Sequence, residues 1–137
     1  MRFLFTTLQT YESDFYGRVG AELERRGHDV AHVTVSRQAA RLLREQGRDA
    51  RCLADVAAAV GEPDSLADEV RRIETTYDTP HIRDVYRADR ACTGRPEEWC
   101  VARTVEHFRA LERVFDNVRP DVVVPEVGNE TIRSPPT

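Results

Sequence analysis

Short apolar runs alternate with segments of helical period along most of this chain, and that alternation restricts the fold more than any other feature. Arg2 to Thr7 and Val30 to Val35 read as buried strands, Ala50 to Leu53 as a weaker third, and Val122 to Val124 as a fourth. Helical segments lie between them: from about Asp14 to Arg26, from Arg37 to Gln46, over Leu66, Val70, Ile73 and Tyr77, and from Pro96 to Val118. Parallel neighbours need a crossover long enough to hold a helix, so this order is the signature of a parallel sheet. The expected fold is α/β, a Rossmann-like parallel sheet with helices on both faces.

Local punctuation sets the boundaries. Gly27 and Gly47 close helices, since glycine accepts the left-handed conformation that ends them. Ser36 and Ser65 stand where an N-cap oxygen is needed, and Asp68 completes a capping-box spacing after Ser65. Phe15, Val19 and Leu23 recur at i, i+4 and i+8 and predict the apolar face of the first helix. Val101, Val105, Phe108, Leu111, Phe115 and Val118 predict the buried stripe of the long one. Residues 78–95 have no readable pattern. With 137 residues, one domain is the default. A helix start at Asn129 runs into Pro135 and Pro136, so residues 1–137 read as a single, incomplete Rossmann-like domain.

Composition narrows the function. A net charge of −4 argues against a nucleic-acid partner, which calls for a basic stripe. All twenty basic residues are arginine, so Schiff-base lysines and P-loops are ruled out. Cys52, Cys92 and Cys100 are an odd set without a CxxC pair, as expected of reduced thiols. The opening apolar run is too short for a signal peptide or a transmembrane segment, and the expected location is cytoplasmic.

In open parallel sheets ligands bind at the carboxyl ends of the strands. Two loops are nominated. The polar stretch Leu8 to Ser13, after strand one, holds no glycine, whereas a dinucleotide site needs them there to admit the pyrophosphate. Thr7, Gln9, Thr10 and Glu12 offer hydroxyls, an amide and a carboxylate, which suit a sugar or serve as an ordinary polar loop. After strand four, Glu126 is placed to take a proton from an attacking hydroxyl. Gly128 permits a tight turn, and Asn129 and Glu130 open a helix whose N–H groups favour an anion. Alternatively, the two acids only serve that helix terminus. No metal site is expected from His28, His32, His81 or His107, and no cofactor. Arg83, Arg87, Arg90 and Arg95, interleaved with Asp84 and Asp89, read as a phosphate-facing patch or as a solvated face.

Three segments together resemble the N-terminal domain of GT-B-type glycosyltransferases, particularly capsule polysaccharide biosynthesis proteins. They are Arg2-Phe3-Leu4-Phe5-Thr6-Thr7, Leu23-Glu24-Arg25-Arg26-Gly27-His28-Asp29-Val30 and Arg119-Pro120-Asp121-Val122-Val123-Val124. The resemblance implies one half of a GT-B fold, with the sugar or glycan acceptor held here. The nucleotide-sugar donor would bind only through a second domain missing from this chain, so the chain alone would be inactive. It also implies Glu126 as the base, with Gln9, Glu12, Gly128 and Asn129 shaping the acceptor pocket. The alternatives are a non-catalytic binding module or truncated fragment, and a nucleotide-binding domain of another type, such as a nucleotide-sugar 2-epimerase-like one. An incomplete domain further predicts an exposed apolar strip where a partner domain or a second copy (a homo-oligomer) docks.

Overall fold

Residues 1–125 are described by a computed structural model of the chain. Four short segments pair side by side in one direction: β1 (Arg2–Thr7), β2 (Asp29–Thr34), β3 (Ala50–Cys52) and β4 (Val122–Pro125). Their order across the sheet is β3-β2-β1-β4, and every pairing is parallel. The fold is α/β and Rossmann-like, a four-stranded parallel sheet flanked by helices. The start of β4 is tied to the start of β1 in both directions: Arg2 N donates to Asp121 Oδ2 and Asp121 N donates to Arg2 O, each at 2.8 Å.

The helices are α1 (Thr10–Arg25), α2 (Arg37–Glu45), α3 (Leu53–Val60), α4 (Leu66–Thr76), α5 (Ile82–Tyr86) and α6 (Glu97–Val118). The described residues divide into two compact units, one of Met1–Leu53 with residues 115–125, the other Ala54–Val114. In the first unit Gly27 and Gly47 end α1 and α2 at φ of +87° and +78°, and Ser36 Oγ accepts from Ala39 N at 3.1 Å. In the second, Ser65 Oγ accepts from Asp68 N at 3.2 Å. That unit has its own core of Ile73, Ile82, Tyr86, Cys92, Cys100 and Val105. Arg72 holds α4 to α6 by a fork of two hydrogen bonds, at 2.9 and 2.7 Å, to the Glu112 carboxylate.

Several expectations are corrected. Helix α1 begins at Thr10 rather than Asp14, because a capping box between Gln9 and Glu12 starts it a turn early. Its large apolar residues do not form the buried face: Phe15 is 61% and Val19 36% exposed. Ser13, Gly17 and Gly20 are buried instead. Small residues let α1 approach closely. A Cβ on Gly20 would meet Val30 at 3.0 Å and His32 Nε2 at 3.1 Å, and one on Gly17 would meet Leu43 of α2 at 3.0 Å. Helix α3 follows β3 without punctuation and was not foreseen, and residues 78–95 hold α5 and a short 3₁₀ turn, Arg90–Cys92. Of the expected stripe of α6, Val105 is buried and Val101 and Phe108 pack against the second unit's core, while Phe115 is 39% exposed and Cys100, Thr104, Ala110 and Val114 are buried as well.

His32 lies in the middle of β2, fully buried. It stacks on Phe5 with ring centroids 5.2 Å apart, and neither ring nitrogen has a hydrogen-bond partner. Burial pushes its pKa down to about 4; the Arg48 charge adds to this and Asp49 partly offsets it. The folded chain therefore holds His32 neutral where an unfolded chain, with a pKa near 6.5, would bind a proton. The sign follows: stability is undiminished above pH 6.5 and falls between pH 6.5 and about 4, by about 3 kcal/mol in total from this group. Urea unfolding across that range should show the decline, and His32→Leu should flatten it. Gly20→Ala should lower stability by about 1 kcal/mol in the same assay, because crowding against His32 outweighs the gain in helix propensity.

Candidate functional site at the carboxyl edge of the sheet

The connections β1 to β2 to β3 step outward on one side of β1, whereas β4 joins the other side. Chain direction across the sheet thus reverses between β1 and β4, the place where open α/β sheets form a ligand crevice. Thr6 is in register with Pro125, so both strands end on the same edge. The candidate site is this edge and the start of α1 that follows it.

Thr7 is buried, and its hydroxyl meets Ser13 Oγ at 2.7 Å. Ser13 Oγ in turn donates to Gln9 O at 3.0 Å, which leaves Thr7 as the donor to Ser13. Glu12 is buried, and one of its carboxylate oxygens accepts from Gln9 N at 3.1 Å. Thr7, Glu12 and Ser13 therefore form a polar scaffold that fixes the turn from strand to helix. Leu8 and Gln9 are exposed on it and Thr10 is half-buried. Of the expected residues at this loop, Gln9 is exposed although its side chain takes part in the capping box with Glu12, Thr10 is half-buried, and Thr7 and Glu12 are buried in the turn.

The expected loop Leu8–Ser13 shrinks to Leu8-Gln9 before the helix begins. The spacing Gln9-x-x-Glu12 is the signal that would have shown it, and Gln is an uncommon N-cap. Gly17 and Gly20 are committed to packing inside α1 and stand too far along to admit a pyrophosphate at the turn. Glu126, Gly128, Asn129 and Glu130 lie outside the described residues.

The second unit has a cleft of about 690 Å³ that sequence reasoning missed, between the end of α3, the start of α4 and one face of α6. Trp99, Arg103, Glu106, His107 and Arg109 line it, with Gly61 opposite. Arg109 Nη1 donates to Gly61 O at 2.7 Å, and Arg103 pairs with Asp89. Burial, aided by Arg103, lowers the His107 pKa. The spacing 99, 103, 106, 107 places four of these side chains along one side of a helix, a signal present in the sequence and masked by their mixed chemistry. The guanidinium groups of Arg95 and Arg103 lie 4.8 and 5.8 Å from the centre of the Trp99 ring. Arg83, Arg87, Arg90 and Arg95 are exposed, in keeping with a solvated face.

Among the described residues no group of His, Cys, Asp and Glu could hold a metal ion, and no helix is long and apolar enough to cross a membrane. Comparison with protein-family models, with curated proteins and with solved structures finds no match to this chain.

Thr7→Val removes the donor to Ser13 Oγ and should cost about 1 kcal/mol in thermal or urea unfolding, the net worth of one hydrogen bond. In the same variant, amide exchange should accelerate at Gln9 and Thr10 and stay unchanged in α6.

Proposed function

We propose that this chain is the acceptor-side unit of a glycosyltransferase-like protein of surface or capsule polysaccharide synthesis. It holds a sugar or glycan at the β1/β4 edge and depends on a separate donor-binding domain for transfer. The observation that carries this reading is the makeup of the switch-point edge. An amide and a hydroxyl, Gln9 and Thr10, stand on a fixed polar scaffold with no glycine at the turn. Glu12 already sets a carboxylate at the positive end of α1, which lessens the pull of that helix terminus on a phosphate. A neutral, hydroxyl-rich ligand suits such an edge better than a dinucleotide. Glu126 is the proposed base, supported by its place in sequence directly after β4. Cytoplasmic location belongs to the same reading, and the three buried free thiols support it.

A second reading, a binding module without catalysis, is favoured by one observation: the described carboxylate at this edge, Glu12, is engaged as a helix cap.

Amide NMR titration separates the readings. Glucose, galactose, N-acetylglucosamine and short glycans made of them should shift the Gln9 and Thr10 amides, and NAD should not. Thr10→Val should weaken the sugar response several-fold with the fold intact. Shifts with NAD at these amides and none with any sugar would overturn the assignment. Glu126→Gln distinguishes catalysis from binding: with a donor domain supplied, transfer should fall at least about a hundredfold, the usual weight of a general base, while acceptor binding persists.

A further inference from the structure

The cleft of the second unit plays no part in the sugar reading of the sheet edge, and its lining is chemically mixed. Ala57, Pro63, Leu66 and Ala102 form its apolar part. Charges of both signs join them: Arg103 and Arg109, Glu62 and Glu106. At about 690 Å³ the cleft falls within the range of small-molecule sites.

The way these charges are engaged narrows the ligand. Arg103 and Glu106 stand at i and i+3 on α6, neighbours on the helix surface. They do not pair with each other. Arg103 turns instead to Asp89, which is no part of the lining, and that bond uses one of its five N–H groups. Arg109 gives one N–H to Gly61 O at 2.7 Å and has Glu69 at 3.8 Å. Glu62, Glu106 and His107 make no hydrogen bond or ion pair with any described residue. The guanidinium groups therefore keep donors to spare, while carboxylates of the same cleft go unclaimed. A simple anion would leave those carboxylates unmatched, and a simple cation would leave the guanidinium groups so.

We propose that this cleft binds a free α-amino acid with a large apolar side chain, its carboxylate on Arg103 and its ammonium on Glu106. The two charges of such a zwitterion flank a single carbon, which suits opposite charges set side by side on one helix. His107, one residue beyond Glu106, offers the carboxylate a further hydrogen bond. The ligand's side chain lies on Ala57, Pro63 and Leu66, where its burial adds to the affinity.

Trp99 lines the cleft and is the only tryptophan in the chain, so its fluorescence reports on this site. L-leucine and L-phenylalanine should each change the emission saturably and shift the amides of residues 103–107 in NMR. N-acetylleucine lacks the ammonium and leucinamide lacks the carboxylate. Each should bind at least about tenfold more weakly than leucine, the usual weight of a hydrogen bond between charged groups. Glu106→Gln should weaken leucine binding by a similar factor and leave N-acetylleucine as it was. Glu106 is exposed, so circular dichroism and melting temperature should not change in that variant. Absence of a saturable response to both amino acids, in emission and in amide shifts alike, would overturn the proposal. So would N-acetylleucine or leucinamide binding as tightly as leucine, or leucine binding undiminished in Glu106→Gln.

Discussion

The close seat of α1 on the sheet is the constraint from which the other features follow. Gly20 sits so close to Val30 and His32 that a Cβ there would lie 3.0 and 3.1 Å from them, and Phe5 packs between His32 and Tyr16. Only the small-residue side of α1 fits there. That choice holds His32 neutral inside the sheet, sets the start of α1 over the carboxyl end of β1, and leaves Tyr11, Phe15 and Val19 on the outside. One packing decision thus governs a buried titratable group, the candidate site and an exposed apolar line.

Much of this fold was legible wherever a side chain acts on its own backbone. Ser36 and Ser65 cap the helices they precede, and Gly27 and Gly47 end theirs, because these are local steric and hydrogen-bonding events. The strand order β3-β2-β1-β4 was not readable, because a fourth strand following a long helix could join either edge of the sheet. What failed was the inference from size to burial. Phe15 and Val19 have the spacing of a buried stripe, yet the tertiary fit favoured Ser13, Gly17 and Gly20. Along α6 the small residues Cys100, Thr104 and Ala110 are buried together with the expected Val105. Periodicity gives the helix; it does not say which side is inward when small and large residues form rival stripes.

The candidate site was half legible. The strand-end rule nominates the end of β1, and the turn there lacks the glycines that a dinucleotide site needs. The hydrogen bonds within it were not readable from the sequence: Thr7 meets Ser13 Oγ, and Glu12 accepts from Gln9 N. The cleft lined by Trp99, Arg103 and His107 was missed for the converse reason. Its residues come from α3, α4 and α6, which meet only once the second unit has folded.

The central claim, that α1 packs by its small face, is tested most directly by proton–proton contacts in NMR. The structure predicts cross-peaks from the Gly20 α-protons to the His32 ring, and none from the Phe15 ring or the Val19 methyls to Phe5 or His32. Strong contacts from Phe15 and Val19 to those strand residues, with Gly20 silent, would show the helix seated the other way round. The description of the site edge and of the exposed stripe would then be wrong.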